Sequence, residues 1–293
     1  MRWRILADDP SGNPGGGAPP RAGSGAWNMA VDEAILAGVE AGESPPTIRV
    51  YGWSPACVSL GHSQDAAHEL DLDRVRTLGY DVVVRPTGGR AVLHIEELTY
   101  SLIAAPDSEA WCATQALSYR TISQSVARAL AEDGFGVSLD RGYPVERPQA
   151  LRAMTPCFSS TARSEVVWGD RKVVGSAQRR LRGAFLQHGS ILVSPAHRRM
   201  VDCLNLDEEK RARYLGILDR NAVSLEEALG RRLEWGSLAE GFEARFARAL
   251  GVDGGPGPGG RRPLTETELR MAKALAAEKT RWSAGLLHPA PGR

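Results

Sequence analysis

In the stretch TPCFSS (155–160) a cysteine stands fifteen positions before a lysine in RKVVGSAQ. Cys157 and Lys172 are the two residues whose types could carry covalent chemistry together. A free thiol, with a pKa of about 8.5, is only a few per cent ionised at neutral pH, and an ammonium beside it raises that fraction. The competing reading makes Cys157 one more small apolar residue in a core. Composition adds a hint. Of 36 basic residues only four are lysines (Lys172, Lys210, Lys273, Lys279). The last three lie in charged, helix-like segments. Lys172 lies between two valine-rich runs, and a lysine amine, unlike a guanidinium, is compact and tuned by burial.

Two further stretches are rich in residues that admit a ligand. In VVVRPTGGRAVLH, Gly88 and Gly89 let backbone pass close to a bound group, and Arg85 and Arg90 flank them, where they can meet an anion. The same stretch reads equally as a turn with solvated arginines, and it does not match a P-loop. In KVVGSAQ and QHGSILV the small residues Gly175, Ser176, Ala177, Gly189 and Ser190 interrupt strands, which weakens packing unless something must come near. His188, His94 and His62 either orient a substrate or serve as hydrogen-bonded core histidines. Their separation does not make a metal site. Cys57, Cys112 and Cys203 read as core.

Short strands interspersed with helices must position these groups. Strands are predicted from Trp3 to Leu6 and over 47–53, 56–61, 80–86 and 97–104. SEVVWGDRKVVGSAQ reads as two strands about a Gly169–Asp170 turn, and 183–193 as another. A helix capped by Asn28, with acids in its first turn, carries Val31, Ala34, Ile35 and Val39 on one face. A second helix closes at Gly134. From about 197 the chain is mostly helical: Phe242, Phe246 and Leu250 share a face, and a Thr265/Glu268 capping box opens a last helix to about 281. These patterns predict an α+β fold with a mixed, largely antiparallel sheet flanked by helices and a helical C-terminal tail. Residues 1–196 are expected to form the domain that holds these groups, with a flexible loop at 8–25. Residues 197–293 form a helical extension with a linker at 251–262.

At 293 residues with a net charge of +1, the chain has no global field for nucleic acid or an acidic membrane. No apolar run suggests a signal peptide or membrane span, and widely spaced cysteines suit a reducing cytoplasm. A monomer is expected.

NMAVDEAIL, YGWSPACVSLGHSQ, VVVRPTGGRAVLHIEELTYSL, CFSSTARSEVVWGDRKVVGSAQ and GAFLQHGSILV occur in the order seen in the lipoate–protein ligase/octanoyltransferase family, which this sequence resembles over about 27–195. The resemblance implies the fold shared with biotin ligases and class II aminoacyl-tRNA synthetase cores. It also implies attachment of an eight-carbon acyl chain to a lysine of a lipoyl carrier domain. Ligases of the family use ATP and Mg to activate free lipoate, with the lysine matched by Lys172. One transferase branch instead has a nucleophilic cysteine in a context matched by Pro156-Cys157-Phe158. That branch takes octanoyl from acyl carrier protein and needs no cofactor. The implied partners are octanoyl-acyl carrier protein and lipoyl carriers (the glycine cleavage H protein and 2-oxoacid dehydrogenase lipoyl domains). Arg85, Gly88, Gly89, Arg90, His94, Gly175, Ser176, Ala177, His188 and Gly189 are the implied substrate contacts. An ATP-dependent ligase and a non-catalytic acyl-binding protein are the alternatives.

Overall fold

The sequences ELTYSLIA and FLQHGSIL have side chains suited to burial on both faces, and they become the centre of the structure. In the computed structural model, which describes residues 2–8, 23–140, 164–252 and 263–288, β6 (Glu97–Ala104) and β10 (Phe185–Leu192) are buried at every position. They pair antiparallel, Tyr100 opposite Gly189. Around them lie β1 (Arg4–Asp8), β2 (Thr47–Tyr51), β7 (Ser138–Leu139), β8 (Val166–Trp168) and β9 (Arg171–Arg180). The seven-stranded order is β1-β2-β6-β10-β9-β8-β7, antiparallel except for β1 with β2. A second sheet holds β3 (Cys57–Leu60) between β4 (Asp81–Val84), parallel to it, and β5 (Val92–His94), antiparallel. The mixed, largely antiparallel architecture expected from the sequence is the one observed. The Gly169 turn joins β8 to β9 with φ of 59° at the glycine, as expected there.

Strand period decides what each face of the large sheet meets. Leu98, Tyr100, Leu102 and Ala104 face one core, shared with Ile122 and Val126 of α2 (Gln115–Glu132) and with Phe242 and Phe246 of α4 (Trp235–Leu250). Ile103, on the opposite face, packs with Leu186, with Val31, Ala34, Ile35 and Val39 of α1 (Gly25–Glu40), and with Ala272 of α5 (Glu266–Leu287). The small sheet packs with Met200, Leu204 and Tyr214 and Leu218 of α3 (Glu208–Asn221). Cys57, Cys112 and Cys203 are buried, as expected. Among the described residues, no helix is long and apolar enough to cross a membrane.

Two boundaries differ from the sequence reading. The first helix starts at Gly25, capped by Ser24, rather than at Asn28, and its first turn holds no acid. Asn28 is buried, and its amide donates to the Gly23 and Gly52 carbonyls, tying the helix to the loop after β2. A good capping side chain was thus recruited for a long-range bond, which local sequence cannot reveal. The last helix runs to Leu287, beyond 281, and Leu287 is buried against the second sheet.

The chain's ends are joined by a buried ion pair. Arg4 donates from both terminal nitrogens to Glu268, each at 2.6 Å, and Ser44 adds a hydroxyl at 2.6 Å. Glu268 also accepts from Thr265 N, completing the expected capping box. Burial pushes the Glu268 carboxyl up, but the bonds from Arg4, Ser44 and Thr265 outweigh it and hold it below the usual range. Glu268→Ala leaves Arg4 buried without its counter-charge. The expected loss is about 3–5 kcal/mol of folding stability, read as a lower urea midpoint.

Candidate functional site

The chain passes from the small sheet to the large one through only Ile95 and Glu96, between β5 and β6. Glu96 takes φ of 46°, a left-handed conformation that is costly for a residue with a Cβ. Its backbone carbonyl accepts from Ser194 N, and its carboxylate accepts from the Ser194 hydroxyl at 2.6 Å. This sharp crossing sets His94 and Glu97 face to face in the crease between the sheets. His94 Nδ1 lies 2.7 Å from Glu97 Oε1, and His94 Nε2 lies 2.7 Å from Ser59 Oγ on β3. The Trp53 ring stacks on the imidazole at 3.9 Å.

The crease opens into a cleft that encloses about 420 Å³ of non-atom space, open solvent included. Register explains its emptiness. Gly175, Ala177, His188, Ser190 and Thr99 project from the same face of neighbouring strands. Gly175 and Ala177 leave room there that larger residues would fill. Met29, Tyr51 and Val92 add apolar wall.

Of the glycine loop, Arg85 lines the cleft, while the expected contacts Gly88, Gly89 and Arg90 are outside its lining. Gly61 can approach the loop because it lacks a Cβ: a methyl there would stand 2.1 Å from the Gly89 carbonyl oxygen. Arg85, expected to flank a ligand as a cation, is buried, and its guanidinium braces the loop from within. It donates to the carbonyls of Ser59, Gly88 and Arg90 and, at 3.1 Å, to Ser59 Oγ. Arg90 is half-buried and Gly89, at φ of 96°, exposed. Arg179 Nη1 donates to the Pro86 carbonyl, fixing the loop to the large sheet.

Below the cleft lies a buried polar network. Asp32 of α1 accepts from Arg49 at 2.9 Å, Tyr51 at 3.0 Å and Ser101 at 2.9 Å, with His188 Nδ1 at 3.6 Å. Burial raises the Asp32 carboxyl, but His188 and Arg49 together bring it below its ordinary value. Burial lowers His188 below 6.5, partly offset by Asp32. The unfolded chain therefore binds a proton at His188 that the folded chain refuses. Stability contributed above pH 6.5 is lost as pH falls from 6.5 through the lowered value. His188→Gln should flatten that part of a stability-against-pH curve measured by urea unfolding. The loss at lower pH, where Asp32 titrates, should persist in reduced form, because Arg49 still lowers that carboxyl and His188 no longer does.

Lys172 lies away from the lining of this cleft, on β9 beside β8. Its ammonium is buried and donates to Glu165 Oε1 at 2.6 Å. Cys157 lies outside the described residues. None of the three described cysteines is suited to attack: burial pushes the Cys57 thiol well up, and Cys112 and Cys203 up to about 12. Such thiols stay protonated at neutral pH.

The structure thus brings together His94, His188, Gly175, Ser176, Ala177, Gly189 and Arg85 around one cleft. It also reveals Trp53, Ser59, Glu97 and Thr99, which sequence reasoning missed. The available signal was polarity inside apolar strands: Ser59 in ACVSLG and Glu97 at the head of ELTYSLIA.

A two-sheet α+β frame thus surrounds a braced glycine loop and a cleft floored by small residues. The chain belongs to the lipoyl protein ligase A/B catalytic domain family, which matches residues 24–247. It is similar to the octanoyltransferase LipM of Kyrpidia tusciae, 39% identical over 87% of this chain and 94% of that protein. The octanoyltransferase LipM of Symbiobacterium thermophilum is 40% identical over 87% of this chain and 91% of that one. The fold is shared with a bi-partite lipoate protein ligase from Thermoplasma acidophilum, at a TM-score of 0.72 and 22% identity, over 100% of this chain and 99% of that one. It is shared too with a lipoate-protein ligase A bound with ATP, at 0.71 and 21% identity, over 98% and 99%.

Proposed function

We infer that this chain is an octanoyltransferase, and that it moves the octanoyl group from acyl carrier protein to the lysine of a lipoyl carrier domain through a thioester on Cys157. The observation that carries the reading is the 39–40% identity to octanoyltransferases across most of the chain. Cys157 enters the described fold seven residues later at Ser164, directly before Glu165, the partner of Lys172. In the first step the Cys157 thiolate attacks the carrier thioester, exchanging one thioester for another. In the second the acceptor amine attacks the acyl-enzyme, and the amide formed is the more stable product. The thioester holds the driving force, so the reaction draws on neither ATP nor Mg.

Lys172 supplies positive charge toward the thiolate and the developing oxyanion, a term worth roughly 3 kcal/mol per well-aimed donor. The Gly88–Gly89 loop, held by Arg85, lies over the acyl group, with Arg90 at its rim. Gly175, Ser176, Ala177 and Gly189 form the floor beneath it. His94 and His188 face the same space. The acceptors fit the glycine cleavage H protein and the 2-oxoacid dehydrogenase lipoyl domains, and the reaction is cytoplasmic. Residues 1–196 carry the chemistry and 197–293 extend the frame.

The test is transfer to a lipoyl domain from octanoyl carrier protein without ATP, beside free octanoate or lipoate with ATP and Mg. Transfer confined to the second mixture contradicts the reading. The floor makes a second expectation. Ala177→Leu adds bulk where the chain must lie, so selectivity shifts from octanoyl toward hexanoyl carrier protein. Each methylene displaced costs about 0.8 kcal/mol, roughly a fourfold change in relative kcat/KM.

A further inference from the structure

The acceptor lysine arrives as an ammonium and must lose a proton before its nitrogen can attack. Resting on the acyl-enzyme reading above, we propose that His94, oriented by Glu97 and reached through the Ser59 hydroxyl, is the base that takes that proton. Lys172 is ill-suited to the task, because its ammonium is already bonded to a buried carboxylate.

The hydrogen bonds accommodate the tautomer that the step requires. Arg85 donates to one lone pair of Ser59 Oγ, which leaves the serine's own proton available to His94 Nε2 at 2.7 Å. In that tautomer Nε2 accepts, and Nδ1 carries the hydrogen given to Glu97 Oε1 at 2.7 Å. That oxygen also accepts from Thr99 at 2.6 Å and Ser190 at 2.8 Å, while Thr99 Oγ1 accepts from Trp53 at 2.7 Å. Glu97 Oε2 is buried without a hydrogen-bond partner among the described residues. In that tautomer the Nε2 lone pair faces a hydroxyl and the ring is backed by a carboxylate. This is the arrangement that makes histidine a base in serine-type sites. Ser59 and His94 both line the cleft, with the floor residues Gly175 and Ala177. An apolar acyl chain gives no reason for so complete a polar relay, held by a strained two-residue crossing at Glu96.

In the step proposed, the ammonium passes one proton to Ser59 Oγ as the serine's proton moves to His94 Nε2. Glu97 faces the imidazolium formed. The neutral amine attacks the thioester carbon, the carbon–sulfur bond breaks, and the second proton leaves nitrogen for the Cys157 sulfur. The products are an amide, a free thiol and a protonated His94, which returns its proton to solvent.

Hydroxylamine provides the test, because it is neutral at pH 7 and needs no base. The full chain is loaded from octanoyl carrier protein, the adduct is counted by intact mass, and lipoyl domain or hydroxylamine is added in parallel. Whatever fraction of His94→Gln is loaded should release octanoyl hydroxamate at the wild-type rate per adduct. Its transfer to lysine should fall by about 10²-fold or more. Ser59→Ala, a smaller change in side-chain volume, should show the same split. Equal falls with both acceptors in these variants, or lysine transfer unaltered in both, overturn the proposal. A wild type that never carries the adduct contradicts the acyl-enzyme reading itself, and the base falls with it.

Discussion

Cys157→Ala should abolish octanoyl transfer to lipoyl domain, with a loss of roughly 10⁴-fold or more in kcat, on the scale of removing other covalent nucleophiles. The argument combines sequence and packing. Three of the four cysteines are buried with thiols pushed up by desolvation, so they cannot supply a thiolate at neutral pH. The fourth lies just before the segment that pairs with Lys172. Replacing any of the first three should alter stability and leave the chemistry in place. Cys157→Ala should do the reverse, with an unaltered urea midpoint and no hydroxylamine-labile adduct. Activity surviving in Cys157→Ala would place the reaction on another route.

Lys172→Met should remove both activity and stability, and the two losses should separate. Lys172 and Glu165 are buried together at 2.6 Å, so deleting the cation leaves a carboxylate in apolar surroundings. A broken buried pair costs about 3–5 kcal/mol, whereas removing both charges can be nearly neutral. Lys172→Met combined with Glu165→Gln should therefore regain most of the urea midpoint. Its transfer rate should stay low, by about 10²–10³-fold, because the cation that the proposed mechanism assigns to the oxyanion is still missing. Recovery of rate along with stability would reduce Lys172 to a structural role.

The strands were legible because their patterns are local. Valine runs broken at Gly169 define β8 and β9, and apolar alternation separates the two faces of β6. The small residues of the floor were legible from residue type alone, whereas residue type left Cys157 open between core and nucleophile, and Cys157 lies outside the described residues. The polar relay was not. Ser59, His94 and Glu97 come from three strands in two sheets; the β3–β5 pairing brings Ser59 to His94, and the crossing at Ile95–Glu96 brings Glu97. Arg85 shows the same limit. Beside a glycine pair it reads as an anion binder, yet its donors satisfy loop carbonyls that no local pattern reveals. Asn28 was misplaced as a cap for a similar reason, since its partners lie across the fold.

The central claim is an octanoyl group held on Cys157 between two partners. Incubating the chain with octanoyl-acyl carrier protein, in the absence of acceptor and ATP, and measuring intact mass with peptide mapping tests it most directly. The account predicts a gain of one octanoyl group on the peptide containing Cys157, discharged by adding lipoyl domain. An unmodified protein that nevertheless octanoylates the lipoyl domain would contradict it.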